Sequence, residues 1–149
     1  MTINNPYGNH IEESVNSAHP VELVALLFES MRESIREARK ALADGDIPKR
    51  SRALSNCLEI LAELASSVDR QQGGALATRL VSLYAFAAER IQQGNFLQSD
   101  TPLAEADKVL QPIAEAWLIL ASNTRRFEGD VPSAHRQAEP ESVHLSLCG

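Results

Sequence analysis

Apolar residues return every three or four positions through four stretches of this chain, the spacing that gives a helix one buried face. In the first, Val24, Phe28, Met31, Ile35, Ala38 and Leu42 share a stripe, with Leu23 and Leu27 beside it and Glu29, Arg32, Glu33, Arg36 and Arg39 mostly elsewhere. Pro20 suits a first helical position, where its missing N–H costs no intrahelical bond, and Glu22 suits the positive end of the helix dipole. The pattern predicts a helix from His19-Pro20 to about Ala43, closed by Asp44-Gly45-Asp46. Gly45 can take the left-handed cap, and Asp46 can cap the next helix, whose first turn tolerates Pro48.

The second stretch, about Ile47 to Arg70, carries Leu54, Cys57, Leu61, Leu64, Ala65 and Val68, with Leu58 and Ile60 at opposite edges. That arc is wider than one neighbouring helix covers. Gly73-Gly74 then predicts a break, followed by a third helix to about Gln93 with Leu76, Leu80, Leu83, Ala87 and Ile91 inward. Tyr84 and Phe86 flank that stripe, and Gly94-Asn95 reads as its stop. Thr101 as cap and Pro102 at the first position open a fourth helix, with Leu103, Ala106, Val109, Leu110, Ile113, Trp117 and Leu120 in period to about Arg125. Pro112 falls inside that pattern and predicts a kink.

Short turns between four such helices describe an all-α, antiparallel four-helix bundle over residues 17–126. Residues 1–16 are rich in Asn, Pro and Gly and predict a flexible arm bearing two apolar beads, Tyr7 and Ile11. Residues 127–149 have two prolines, two glycines and no sustained period, and predict a disordered tail in which only Val143, Leu145 and Leu147 could pack. Composition agrees with helices: apolar residues are 44% of the chain and aromatics only 5%. A length of 149 residues fits one domain.

Charge narrows the partners. The net charge of -6 arises chiefly in the flanks, leaving the bundle nearly neutral, so no basic surface for nucleic acid is available. Lys49, Arg50 and Arg52 lack interleaved aromatics and read as a solvated face. A polar N-terminus and the absence of a long apolar run predict a cytosolic protein without membrane insertion.

Candidate chemistry is sparse. His10, His19, His135 and His144 lie in the flanks or at a helix start, so a metal centre in the bundle is not expected. The lone Glu141 to His144 spacing has no second carboxylate. Cys57 sits on an apolar stripe and reads as a small buried hydrophobe, while Gly73-Gly74 lacks the strand and lysine of a phosphate loop. No cofactor and no catalytic group are expected. Apolar residues remain in excess, among them Leu26, Leu58 and Ile119 off their stripes. They are either a partner site or surface covered by the chain's own arm or tail.

Several strings in order resemble the FliS family of flagellar secretion chaperones. They are Asn5-Pro6-Tyr7, Pro20-Val21-Glu22-Leu23-Val24 with Leu27-Phe28-Glu29, and Gly45-Asp46-Ile47. Ser67-Val68-Asp69, Gly73-Gly74, Ala77, Leu80, Leu83-Tyr84 and Trp117 complete the set. Phe28-Glu29 stands where Tyr-Asp is commoner, and Val68 where leucine is usual. The resemblance implies a non-enzymatic chaperone that binds the disordered C-terminal segment of flagellin, prevents premature polymerisation and serves the flagellar export gate. Another helical adaptor or export chaperone binding an amphipathic partner helix is the alternative. On either reading the expected groove lies along helices two and three. Its residues are Leu54, Leu58, Leu61, Ala65, Asp69, Leu76, Leu80 and Tyr84, covered in the free protein by Tyr7 and Ile11. Leu54, Leu61 and Leu80 are equally compatible with the core. The free protein is expected as a monomer or weak homodimer.

Overall fold

The structure, a computed structural model, describes residues 19–130. It contains α1 (Pro20–Asp44), α2 (Ile47–Ser66), α3 (Arg70–Leu97) and α4 (Asp100–Asp130), with no strand among the described residues. The expected arm, with Tyr7 and Ile11, and the tail beyond Asp130 lie outside them.

The first turn forms as its residues dictate. Gly45 takes the left-handed conformation at φ 72, and the N–H groups of Gly45 and Asp46 donate to the carbonyls of Leu42 and Ala41 at 3.3 and 2.8 Å. Asp46 Oδ1 accepts from the Lys49 N–H at 3.1 Å, which caps α2.

The second turn departs from expectation. α2 stops at Ser66, and Asp69 caps α3 by accepting from the N–H groups of Gln71 and Gln72 at 3.0 and 3.1 Å. The turn between α2 and α3 therefore falls before Gly73-Gly74, and the break expected at those glycines follows as a second interruption, where Gly74 leaves helical geometry at φ 51 and ψ -128 and kinks α3. Gly94 is not a stop. α3 continues to Leu97 and closes on Gln98, while a Cβ at Gly94 would lie 2.6 Å from Leu103 Cδ2. The glycine is a notch that receives a leucine of α4. α4 runs through Pro112 as one element, and it includes Phe127–Asp130, the residues expected to begin the tail.

Each helix packs on its neighbours in sequence, and α4 closes the ring on α1. Polar links show each seam to be antiparallel. Across α1 and α4, Arg39 binds Asp100 at 2.7 and 2.9 Å, Arg32 binds Asp107 at 2.9 and 3.4 Å, and Arg125 binds Glu22 at 2.9 Å. Asn56 donates to Ser34 at 2.8 Å between α2 and α1, and Arg90 reaches Glu105 at 3.4 Å between α3 and α4. The α2–α3 seam, held by Arg50 donating to Asn95 at 3.0 Å, is the sparsest of the four.

Phe28, Met31 and Ile35 of α1 meet Leu54, Cys57, Leu61 and Leu64 of α2 in the core, with Leu103, Ala106 and Leu110 from α4. The inner face of α3 differs from the expected one. It is Ala77, Tyr84, Ala87 and Ile91, with the Tyr84 ring 6.1 Å from that of Phe28. Ala77, Tyr84 and Ile91 recur every seven residues, so Leu76 and Leu83, one position earlier, sit about 100° round the helix. Their bulk is turned out of the core, where Ala77 and Ala87 take the inward positions beside Tyr84.

Candidate protein-docking surface

The expected groove residues separate into three groups. Leu54, Leu61 and Tyr84 are closed inside the bundle. Leu58, Ala65 and Leu80 are half-buried at its rim, packed against the core. Leu76 is 66% exposed, and Asp69 is an exposed helix cap. Burial also raises the Tyr84 hydroxyl above its ordinary pKa.

Side-chain direction shows why these residues do not form one surface. On α2, Arg50 marks the flank that faces α3, and Leu54, Leu58, Leu61 and Ala65 follow along it. On α3, however, Leu76, Leu83 and Arg90 form a stripe spaced by seven, and Arg90 binds Glu105 of α4. Leu76 and Leu83 therefore lie on the α4 side of α3, away from α2. Phe86 flanks the same stripe, with the Arg90 guanidinium 5.3 Å from its ring centroid.

α4 answers with apolar residues of its own. Ile119, Leu120 and Phe127 are half-exposed or more, on the flank that continues from Glu105, and Leu118 is exposed on the side toward α1. The antiparallel register set by Arg90 and Glu105 brings Leu76 level with Ile119. The α3–α4 seam is thus pinned at one end by Gly94, Leu103, Arg90 and Glu105, and lined at the other by an exposed apolar band. Phe96, Leu97 and Ile47 are exposed at the opposite end of the bundle.

The band was only partly expected. The sequence pattern puts Leu76, Leu83 and Leu120 inward, whereas all three are exposed; it does set Phe86 on a flank and Ile119 off its stripe. The parallel series Ala77, Tyr84, Ile91 and Leu76, Leu83, Arg90 is the signal that separates inside from outside.

Charged groups here bind helices together. Arg39 holds the Asp100 carboxyl below its ordinary range, and the bond to Asp107 raises Arg32. Burial pushes the Cys57 thiol up to about 12, with the Asp107 charge adding to it, so it is a poor nucleophile. Among the described residues no three His, Cys, Asp or Glu side chains form a group that could hold a metal, and no helix is long and apolar enough to cross a membrane.

The described residues thus define an all-α protein, an antiparallel four-helix bundle with its sparsest seam on one side of α3 and an exposed apolar band on the other. Residues 3–124 match the family described as flagellar protein FliS, and the chain belongs to that family. It is similar to the flagellar secretion chaperone FliS of Salmonella typhimurium, 33% identical over 108 residues that cover 72% of this chain and 80% of that protein. The FliS of Bacillus subtilis is 28% identical over 117 residues, covering 78% of this chain and 86% of that protein. A third relative, FliSB of Pseudomonas aeruginosa, is 28% identical over 107 residues, covering 72% and 85%.

Proposed function

We propose that this protein is a cytosolic flagellar secretion chaperone that binds the C-terminal segment of flagellin, keeps it from polymerising and delivers it to the flagellar export gate. The relatives' name, flagellar secretion chaperone, supports the broader part of this reading. The observation that carries the finer part is the apolar surface on both sides of α3. Leu58 and Ala65 of α2 line its α2 side, and Leu76, Leu83 and Phe86 line its α4 side, with Leu80 half-buried between Leu76 and Leu83. A disordered segment that becomes helical on a partner needs apolar seams at helix spacing, and such coupled folding buries on the order of 1,000–3,000 Å². α3 offers two seams to one ligand. In the free protein the arm, through Tyr7 and Ile11, covers the α2 side and moves when the ligand arrives.

A synthetic flagellin C-terminal segment titrated into the full chain is expected to form a one-to-one complex, with a gain in helix content and a negative heat-capacity change. Leu83→Asp should weaken binding about tenfold, roughly 1.4 kcal/mol, and leave the melting temperature nearly unchanged because Leu83 is outside the core. Absence of binding at micromolar concentration would sink the reading. Tyr84 is unsuitable for this test, since its removal would damage the core.

A further inference from the structure

The family match ends at residue 124, but the chain continues to residue 149. The described residues end at Asp130, immediately after the apolar end of α4 formed by Ile119, Leu120 and Phe127. Downstream, Val143, Leu145 and Leu147 alternate with polar residues, a pattern that puts all three on one side of an extended segment. Glu139 and Glu141 precede them. Near the band, Arg126 of α4 and Arg79 of α3 are exposed and in no ion pair with a described residue. Apolar residues thus match apolar residues, and acidic side chains match basic ones that form no ion pair with a described residue.

We propose that residues 139–147 of the same chain occupy the α3–α4 band, with Val143, Leu145 and Leu147 against Ile119, Leu120 and Phe127. Glu139 and Glu141 then face Arg79 and Arg126. The connection is long enough. Residues between Asp130 and Val143 can span roughly 40 Å when extended, whereas the path back along α4 to Ile119 is about 16 Å. Tethering also favours this occupant over a second molecule, because a flexible linker gives an effective concentration on the order of millimolar. The cost of closing such a loop grows only slowly with its length. The proposal concerns what covers the band in the free protein, and it holds whether or not the ligand is flagellin.

The chain carries its own probes. Trp117 is the single tryptophan and packs against the core one turn before Leu120, and Cys148 adjoins Leu147 in sequence. Cys57 is fully buried, so a dansyl acceptor attaches selectively to Cys148. Energy transfer from Trp117 to that acceptor in the full chain is expected to be strong, unchanged on dilution, and mostly lost in the double variant Leu145→Asp, Leu147→Asp. Ile119→Asp, an exposed position, should lose it as well while keeping the native circular dichroism spectrum. Equal transfer in the tail variant and the unaltered chain would overturn the proposal. So would transfer that disappears on dilution, which assigns the tail to a second copy, or transfer that survives Ile119→Asp.

Discussion

Gly74 offers a test in which the sign of the effect decides between two structures of α3. At φ 51 and ψ -128 it occupies a region that a Cβ makes costly, and glycine enters freely. Nothing lies within 4 Å of the place a Cβ would take, so Gly74→Ala adds no clash and the whole effect is backbone strain. Strain of this kind costs about 1–3 kcal/mol. Were α3 regular at this point, the same substitution would stabilise the protein by about 1 kcal/mol, the advantage of alanine inside a helix. With a urea slope of roughly 2 kcal/mol per molar, a loss of about 2 kcal/mol lowers the unfolding midpoint by about 1 M. Urea titration followed by far-ultraviolet circular dichroism reads this directly, and the slope should not change. A midpoint that rises in Gly74→Ala would refute the bend and the strain ascribed to it.

Three further outcomes follow from the side-chain network. Because Arg39 depresses the folded-state pKa of Asp100, the pair's contribution is present above about pH 4 and lost as pH falls through the depressed value. Urea midpoints measured from pH 5 downward should therefore fall less steeply in Arg39→Gln, and an identical slope would count against the pair. Arg32→Ala removes both bonds to the largely covered Asp107 and should cost about 2 kcal/mol in thermal unfolding, whereas removing Arg36 from its exposed pair with Glu33 should cost less than about 0.5 kcal/mol. Iodoacetamide at mildly alkaline pH should leave Cys57 unmodified by mass spectrometry until urea unfolds the bundle, since its thiol is buried and pushed up to about 12.

The parts of the fold legible in the sequence are those where one residue has one plain physical use. Pro20 and Gly45 bound α1, Asp46 caps α2, and the apolar period of each helix supplies most of the core. Gly73-Gly74 marks a real interruption of the helix, at Gly74, but Gly94-Asn95 misled because glycine has several uses. Gly94 admits a neighbour's side chain, a role not visible without the opposing element. Asp69 was read as a polar contact when it is the cap that starts α3. The exposed apolar band is less legible for a related reason. A stripe of leucines marks a core only when nothing else can fill it, and on α3 the alanines and Tyr84 fill it better. The inward stripe meets Phe28 through Tyr84, a neighbour far away in the sequence.

Gly94 has a reach well beyond its own size. With Leu103 seated where a side chain would otherwise be, α4 cannot slide along α3 by a turn without driving that leucine into a bulkier neighbour. The pair works as a detent, setting the register of two long rods from one end. Leu76 lies 18 residues up α3, about 27 Å away, and it comes level with Ile119 only because that setting holds. The pattern of greasy side chains along the band is therefore dictated at the far end of the rods, by an atom that is not there.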